Sequence, residues 1–499
     1  MVLISSNMEK FFWADAIADD IIKRKKKKEY VCASGITPSG TIHVGNFREV
    51  ITTDLVVRAL RDKGKKVRFI YSWDDYDRFR KVPSNVPKEF EEYLGMPVSE
   101  VPSPFGGKNY AQYFENEFEK SLKKVGIKPE FIRQNLMHKK CAYAPLIKKA
   151  LDELPKIKKI LNKYRKEPLG KDWLPLEVFC EKCKKDSTKI LDIKGYKIEY
   201  ECVCGHKDIF DYREKGLVKL KWRVDWPARW KYEKVDFEPG GIDHSVHGGS
   251  YMTGKEIVKI FDYEAPIYQL YEWIRIKGGT EFSSSKGNTV TLDEVEEIYE
   301  PEILRYLFVG TRPNKGFQIS FDADVIKTYD EYDMLEEKYF DKTATPQERR
   351  IYELSQIEKS KGRKEKLGFR HLVTFIQTGK IQELNAESKK RAEKVKNWLN
   401  KYAPEDFKFE VQDKIMVKLD KKQKQALKAL KESLAVKDFT EDELFGEFYN
   451  ICQAVDIPNK EFFDGAYGVI INKARGPRLA ALILAIGKGK VIELLEKIK

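Results

Sequence analysis

The chain has 499 residues, which is too long for a single hydrophobic core and predicts several domains. Its 41% hydrophobic and 34% charged residues are typical of a globular protein with a very polar surface, and no apolar run is long enough to span a bilayer. The formal net charge of +14 fits a polyanionic partner, because Lys and Arg bind phosphates, or simply a lysine-rich surface, because the chain also has 79 acidic residues.

The N-terminal residues 11–22 combine apolar side chains with Asp15, Asp19 and Asp20, and the basic run 23–28 follows them rather than precedes them. This pattern predicts an amphipathic helix and not a signal peptide. Seven cysteines, four of them close together in the sequence, do not resemble a disulfide framework. We therefore expect a cytoplasmic protein without a membrane partner.

Residues 37–46, Thr-Pro-Ser-Gly-Thr-Ile-His-Val-Gly-Asn, form a Gly-rich turn between a predicted strand at 30–34 and a predicted helix, and a second strand is predicted at 67–72. In such a unit the turn lies at the carboxyl end of a parallel strand, where the free N–H groups of the helix bind phosphate. His43 and Asn46 add hydrogen-bond donors for a triphosphate or an adenine ring. On these residues alone, an ordinary helix cap with a partly buried histidine is the better interpretation.

Charged residues of both signs end the second strand, in the stretch 73–80. They lie where parallel sheets bind ligands, although a salt-bridged surface loop fits equally well. Pro and Gly in residues 81–110 predict an excursion out of the sheet, and helical patterns run from about 110 to 165.

The clearest metal signal is the series Cys180, Cys183 and Cys202, followed by Cys204 and His206. Two ligand pairs about twenty residues apart, with β-like sequence between them, match a zinc ribbon in which Zn²⁺ replaces a hydrophobic core. The fourth ligand is either Cys204 or His206, and the closed site predicts a structural role for the metal. The alternative to a zinc site is that two of these cysteines are free buried thiols and that the other ligand pair occurs by chance.

Residues 217–230 alternate in polarity and predict a strand that ends in an aromatic and charged corner. A further strand is predicted at 267–271. Trp226, His244 and Tyr271 are either core aromatics or the lining of a pocket for a cationic amine, which aromatic faces attract.

Residues 282–288, Phe-Ser-Ser-Ser-Lys-Gly-Asn, form a small polar loop whose lysine can stabilise charge on phosphates, although by composition the loop could also be a linker. Residues 301–340 have a helical pattern. Lys-rich segments at helical spacing then predict a C-terminal bundle with helices at 389–402, 421–434 and 441–455 and a final apolar helix at 479–486.

Together, the turn at 37–46 and the loop at 282–288 resemble the HIGH and KMSKS signatures of class I aminoacyl-tRNA synthetases. From about residue 13 to the last helix, the chain is similar to the archaeal-type class I lysyl-tRNA synthetases. The stretches that carry this resemblance are 34–46, 73–81, 222–227, 243–244, 283–288, 312–315 and 475–480. The resemblance implies an α/β fold with a Rossmann-type catalytic domain at 1–300, a zinc-binding insertion at about 82–215 with the ribbon at 180–206, a junction domain at 301–344 and an all-α anticodon-binding bundle at 345–499.

The resemblance also implies an activity. Members of this family activate L-lysine with ATP and Mg²⁺ and transfer it to the 3′-terminal ribose of tRNA(Lys). The implied catalytic residues are His43, Asn46 and Lys286. The residues implied to bind ATP are Pro38, Gly40, His43, Gly45, Asn46, Ser283, Ser285 and Lys286. The residues implied to bind lysine are Gly35, Thr37, Trp226, His244 and Tyr271.

Two features depart from the family pattern. Glu281 and Phe282 replace the usual lysine and methionine of the KMSKS loop, so one cation expected near the pyrophosphate is missing. Residues 105–110 lack the Cys-His cluster that often follows Pro-Phe-Gly, so a first zinc site is lost. The alternatives are a non-catalytic tRNA-binding paralogue, a glutamyl-type class I synthetase and a nucleotidyltransferase with a similar phosphate turn.

Overall fold

The computed structural model describes residues 12–278, 289–359 and 362–498. The chain divides into two compact units. The first unit comprises residues 1–296, 304–319 and 344–359, and the second comprises residues 297–303, 320–343 and 360–499. Among the described residues, no helix is both long enough and apolar enough to cross a membrane.

Strands and helices alternate in the first part of the chain, and helices dominate the last part. The strands are β1 Glu29–Ile36, β2 Lys66–Trp73, β3 Glu130–Arg133, β4 Leu176–Val178, β5 Thr188–Lys194, β6 Lys197–Cys202, β7 Lys207–Asp211, β8 Val218–Leu220, β9 Phe237–Gly241, β10 Ile267–Tyr271, β11 Ile274–Ile276 and β12 Phe317–Ile319. The α-helices are α1 Trp13–Arg24, α2 Val44–Asp62, α3 Tyr110–Lys124, α4 Gln134–Lys139, α5 Ala144–Asp152, α6 Leu154–Asn162, α7 Trp222–Glu233, α8 Ile242–Ser245, α9 Ser250–Ile257, α10 Leu292–Glu296, α11 Pro301–Val309, α12 Asp324–Phe340, α13 Pro346–Ser355, α14 Phe369–Gln377, α15 Ala386–Lys401, α16 Lys421–Val436, α17 Glu441–Val455, α18 Asn459–Ile471, α19 Leu479–Ile486 and α20 Lys488–Glu496.

A five-stranded sheet in the order β10-β9-β1-β2-β3 forms the centre of the first unit. All neighbouring strands in it are parallel, and this order is that of a Rossmann-type nucleotide-binding unit, so the predicted fold is confirmed. The strands predicted at 30–34, 67–72 and 267–271 are confirmed as β1, β2 and β10. Strand β3 was not predicted and interrupts the helical stretch at 110–165. The carboxyl ends of the strands meet at one edge, where such sheets bind ligands.

Two buried arginines fix α2 within the first unit. Arg48 Nη2 donates hydrogen bonds to the carbonyls of Arg312 (2.8 Å) and Pro313 (3.1 Å). Arg305 Nη2 donates to Asp54 Oδ2 over 2.7 Å. Because these bonds hold the body of the helix, they also hold the Gly-rich turn that precedes it.

The predicted strand at 217–230 is wrong for most of its length. The strand β8 ends at Leu220, and α7 begins at Trp222. Trp222, Trp226 and Trp230 recur every four residues, which is helical spacing, and successive rings in this series lie 5.1 and 4.8 Å apart. Polar and apolar residues alternate as in a strand only within β8. Beyond Leu220, the four-residue spacing of the tryptophans indicates the helix that the structure shows.

The second unit contains the predicted helical bundle. The helices expected from the Lys-rich segments are confirmed as α15, α16 and α17. Arg391 of α15 is fully buried and pairs with Glu300 (2.8 Å) and Asp333 (2.6 Å), so its charge is compensated within the unit. The apolar helix at 479–486 is confirmed as α19, but it is not the final one, because α20 follows it.

Gly35 allows β1 and β2 to approach closely at their carboxyl ends. A Cβ atom at Gly35 would lie 2.5 Å from the carbonyl oxygen of Ser72, so an added methyl group forces the backbone to move. We expect Gly35→Ala to lower the free energy of unfolding by about 2 kcal/mol in urea denaturation. Gly170→Ala is the control, because a Cβ there meets nothing within 4 Å and should not destabilise the fold. Equal stability of the two variants would contradict the close approach.

Candidate active site

The Gly-rich turn places His43 and Asn46 at the first turn of α2. Asn46 Oδ1 accepts a hydrogen bond from the backbone N–H of His43 (3.1 Å), and the two residues form a capping box. The helix-cap interpretation is therefore confirmed. It also fixes both side chains at the end of a helix that attracts phosphate, so the cap does not compete with a binding role.

Burial keeps the His43 imidazole neutral. The residue is 9% exposed, and burial lowers its pKa to about 4. The ring offers a hydrogen bond rather than a positive charge to a ligand at physiological pH. Pro38 and Gly40 precede His43 in the same turn, and Gly45 lies in the first turn of α2.

The chain that follows the serine loop returns to this turn. Val290 accepts a hydrogen bond from the N–H of Val44 (2.8 Å), and Thr291 forms an antiparallel bridge with His43. The structure thus brings residues 290 and 291, which follow the second motif, to the first motif. Five residues of the loop that sequence analysis singled out lie outside the described residues, and their roles stay predictions: Glu281, Phe282, Ser283, Ser285 and Lys286.

Two of the predicted lysine-binding residues, Gly35 and Tyr271, bind the same carboxyl group, which the sequence did not indicate. Glu49 of α2 accepts hydrogen bonds from the N–H of Gly35 (2.9 Å) and from the hydroxyl of Tyr271 (2.8 Å). It therefore joins the ends of β1 and β10. Thr37 donates instead to Asp77 Oδ2, over 2.7 Å.

Trp226 and His244 are a second pair of predicted lysine-binding residues that contact each other. Their ring centroids are 5.4 Å apart, so the structure brings these two predicted residues together. Trp226 Nε1 donates to Glu238 Oε1 (3.0 Å), and Trp230 Nε1 donates to Glu238 Oε2 (2.6 Å). Gly35, Trp226 and Glu238 line one narrow cavity with Asp74. Like Glu49, Glu238 was missed, because a single acidic residue in a short apolar segment has no distinctive pattern.

Two buried carboxyl groups at this site, those of Glu49 and Glu238, have raised pKa values. Burial raises the pKa of Glu49 to about 8 and that of Glu238 to about 7. Arg229 is already paired with Asp74 (2.6 Å) and Asp225 (3.1 Å). Within the described part of the chain, no Lys, Arg or His side chain forms an ion pair with Glu49 or Glu238. A cationic ligand would supply the missing charge.

Four cysteine sulfurs in the insertion lie within 4.8 Å of one another, those of Cys180, Cys183, Cys202 and Cys204. Two of the Sγ–Sγ distances are 3.7 and 3.6 Å. A tetrahedral zinc with bonds of about 2.3 Å requires sulfur separations of about 3.8 Å, so the geometry fits this metal. The other candidate ligand, His206, groups instead with Glu181 and Asp208. The arrangement therefore favours Cys204 over His206.

A family model described as tRNA synthetases class I (K) matches residues 11–358, and a model of an anticodon binding domain matches residues 369–499. The chain belongs to this family of class I synthetases. A lysine--tRNA ligase of Borreliella burgdorferi is 44% identical over 521 residues, covering 98% of this chain and 99% of that protein. One of Pyrococcus horikoshii is 41% identical over 517 residues, covering 97% and 99%.

In this class I synthetase, the parallel sheet places the Gly-rich turn at its carboxyl edge. The Gly-rich turn after β1 and the chain before α10 meet at the carboxyl edge of the parallel sheet. The resemblance drawn from HIGH-like and KMSKS-like stretches is thereby confirmed at the level of the family.

The two indoles that bind Glu238 report on its ionisation. As the pH rises through about 7, the carboxyl loses its proton and the Trp226 and Trp230 hydrogen bonds become charge-assisted. We expect an intrinsic fluorescence transition near pH 7 that Glu238→Gln abolishes. Glu119→Gln is the control, because Glu119 accepts from a different indole, that of Trp73 (2.9 Å). A transition that survives in Glu238→Gln would contradict the assignment.

Proposed function

We propose that the chain activates L-lysine with ATP to lysyl-adenylate and transfers the lysyl group to the 3′-terminal ribose of tRNA(Lys). The observation that carries the proposal is that two buried carboxyl groups, those of Glu49 and Glu238, lie beside Gly35, Trp226 and Tyr271 without a cationic partner among the described residues. Free lysine has two ammonium groups, and either carboxylate can pair with one of them. The names of the similar proteins point to the same reaction.

The charge of the cavity also distinguishes lysine from glutamate. A glutamate side chain needs a free cation, but Arg229 is committed to Asp74 and Asp225. Lys219, which is also buried, pairs with Asp77. Neither cation is available to a second carboxylate without breaking a buried pair, which costs about 3 to 5 kcal/mol.

ATP binds at the Gly-rich turn in this proposal. His43 and Asn46 contact the nucleotide, with Pro38, Gly40 and Gly45 allowing the backbone to approach it. Ser283, Ser285 and Lys286 hold the departing pyrophosphate, and Mg²⁺ bound together with ATP would compensate phosphate charge where Glu281 replaces a lysine. A lysine carboxylate oxygen attacks the α-phosphorus and pyrophosphate leaves, so the protein orients the reactants and stabilises charge without a covalent intermediate.

The test is amino-acid-dependent exchange of pyrophosphate into ATP, measured with and without tRNA(Lys). We expect lysine to support exchange and glutamate not to support it. Glu238→Gln and Glu49→Gln should raise KM for lysine about 10- to 100-fold, the effect of losing one charge-assisted contact. Glu264→Gln is a matched control, because Glu264 is 62% exposed and should leave KM unchanged.

The ionisation of Glu49 and Glu238 sets the pH dependence of KM for lysine. Because burial raises the pKa of Glu238 to about 7 and that of Glu49 to about 8, both are ionised only at alkaline pH in the free protein. KM for lysine should therefore fall as the pH rises from about 6.5 to about 8.5. Exchange supported by glutamate, or a lysine KM that is the same across this range and in both Gln variants, would overturn the proposal.

We infer that the four clustered cysteines bind one structural Zn²⁺. Metal analysis of dialysed protein should give one zinc per chain, and Cys204→Ser should reduce both zinc content and thermal stability. His206→Ala should retain the metal, because His206 lies outside the sulfur group. Two zinc ions per chain, or loss of zinc from His206→Ala alone, would contradict this ligand set. None of the seven cysteines, all of which lie in the described residues, forms a disulfide, which suits a reducing cytoplasm.

We further propose that residues 345–499 bind the anticodon arm of the tRNA and that residues 301–344 form the junction to them. Helix α17 exposes two aromatic side chains, Phe445 (46%) and Tyr449 (40%), whose rings lie 5.2 Å apart. Exposed aromatic faces stack on unpaired bases, which an anticodon loop presents. The match of residues 369–499 to an anticodon binding domain supports this assignment.

A further inference from the structure

A second cavity opens at the carboxyl edge of the same parallel sheet. Its volume is about 520 Å³, within the range of small-molecule sites. It is lined by acidic, basic and amide side chains, among them Asp75, Ser99, Glu115, Arg133, Asn135 and Lys139.

The two cavities share the ends of β2 and β3. We call the narrow cavity lined by Gly35, Trp226 and Glu238 the lysine cavity. After β2, Asp74 lines the lysine cavity and Asp75 lines the second cavity. After β3, Gln134 lines the lysine cavity and Asn135 lines the second. Because successive Cα atoms are about 3.8 Å apart, the wall between the cavities is one residue thick. A ligand in the second cavity is therefore adjacent to the bound amino acid.

Buried polar groups in the wall of this cavity have hydrogen-bonding capacity to spare. Within the described residues, Ser99 Oγ and Glu115 Oε1 have no hydrogen-bond partner. Glu115 is 1% exposed, and its other oxygen accepts from Arg133 Nε (2.9 Å). An unpaired buried polar atom costs about 1 to 3 kcal/mol, so a ligand that pairs with both groups recovers that cost.

We propose that the second cavity binds one base of the unpaired 3′ end of the tRNA through the exocyclic amino group of that base. This inference rests on the proposed function, since it places the acceptor end beside the activated lysine. All three nucleotides of the C-C-A end carry such an amino group. It donates to Glu115 Oε1, and the Ser99 hydroxyl bonds to the neighbouring ring nitrogen.

The chemistry of the lining matches a base better than a metal or a free anion. Glu115 Oε1 accepts from the exocyclic amino group and the Ser99 hydroxyl donates to the ring nitrogen, and this donor and this acceptor are what the Watson–Crick edge of cytosine or adenine presents. Leu136, which is 50% exposed and lines the cavity, offers an apolar surface to the face of a base. Among the described residues, Asp75 and Glu115 do not belong to a metal-binding group, and their charge disfavours a free phosphate.

The experiment measures Kd for a tRNA(Lys) transcript and for the same transcript without its last three nucleotides, using the full chain. Wild-type protein should bind the complete transcript about tenfold more tightly, the effect of one base contact. Ser99→Ala and Glu115→Gln should lose most of this difference while Kd for the shortened transcript changes less than about twofold. In aminoacylation, both variants should raise KM for tRNA about tenfold and leave KM for lysine unchanged.

Two controls separate the inference from effects on folding. Ser99→Ala removes a hydroxyl without a partner, so its melting temperature should not fall, and it keeps the test valid where Glu115→Gln fails to fold. Glu117→Gln lies on the same helix but is 47% exposed, and it should behave as wild type.

The inference is overturned by a Ser99→Ala protein that retains the full tenfold difference, or by variants that weaken both transcripts equally. It is also overturned by a change in KM for lysine alone, which would assign Ser99 and Glu115 to the amino-acid site. Failure of the wild-type protein to charge any tRNA with lysine would instead refute the proposed function, whatever the ratio of the two Kd values.

Discussion

Two carboxylates without cationic partners organise the site of this synthetase. Glu49 links α2 to the ends of β1 and β10, and Glu238 links β9 to two tryptophans of α7. Each carboxyl group accepts two hydrogen bonds, which offset part of the cost of its burial, but without a cation burial still raises the pKa of Glu49 to about 8 and that of Glu238 to about 7. The groups that hold these five elements together are thus the same groups that a bound cation would stabilise in their ionised form. Architecture and charge selectivity cannot be varied independently here.

The elements that could be predicted from the sequence are those defined by residues close together in the chain. The unit β1–turn–α2–β2, the cysteine ribbon and the C-terminal helices each have a periodic or spacing signal within about thirty residues. Glu49 and Tyr271 are 222 residues apart, and nothing near either residue indicates the other. The same limit explains the missed strand β3, whose four residues are too few to show a period and which is defined by its pairing with β2.

The strand prediction at 217–230 is wrong for a different reason. The polarity of the side chains repeats every two residues within β8, whereas the tryptophans of α7 repeat every four residues. A single strand cannot fit both repeats. The correct helix places Trp222 and Trp226 in a stack at 5.1 Å and directs the Trp226 N–H at Glu238. A strand would have sent successive tryptophans four residues apart to the same face but spread them over about 13 Å, too far for one carboxylate to bind two indoles.

The one-residue wall between the two cavities couples their electrostatics. The charge of Asp74 adds to burial in raising the pKa of Asp75 to about 6, so the two carboxylates oppose each other's ionisation across the wall. Arg229 offsets the charge of Asp74 on one side of the wall, and Asn135 donates two hydrogen bonds to Asp75 on the other side. Both carboxylates of the wall are therefore satisfied within the protein, which leaves Glu49 and Glu238 for lysine and Glu115 for the second cavity.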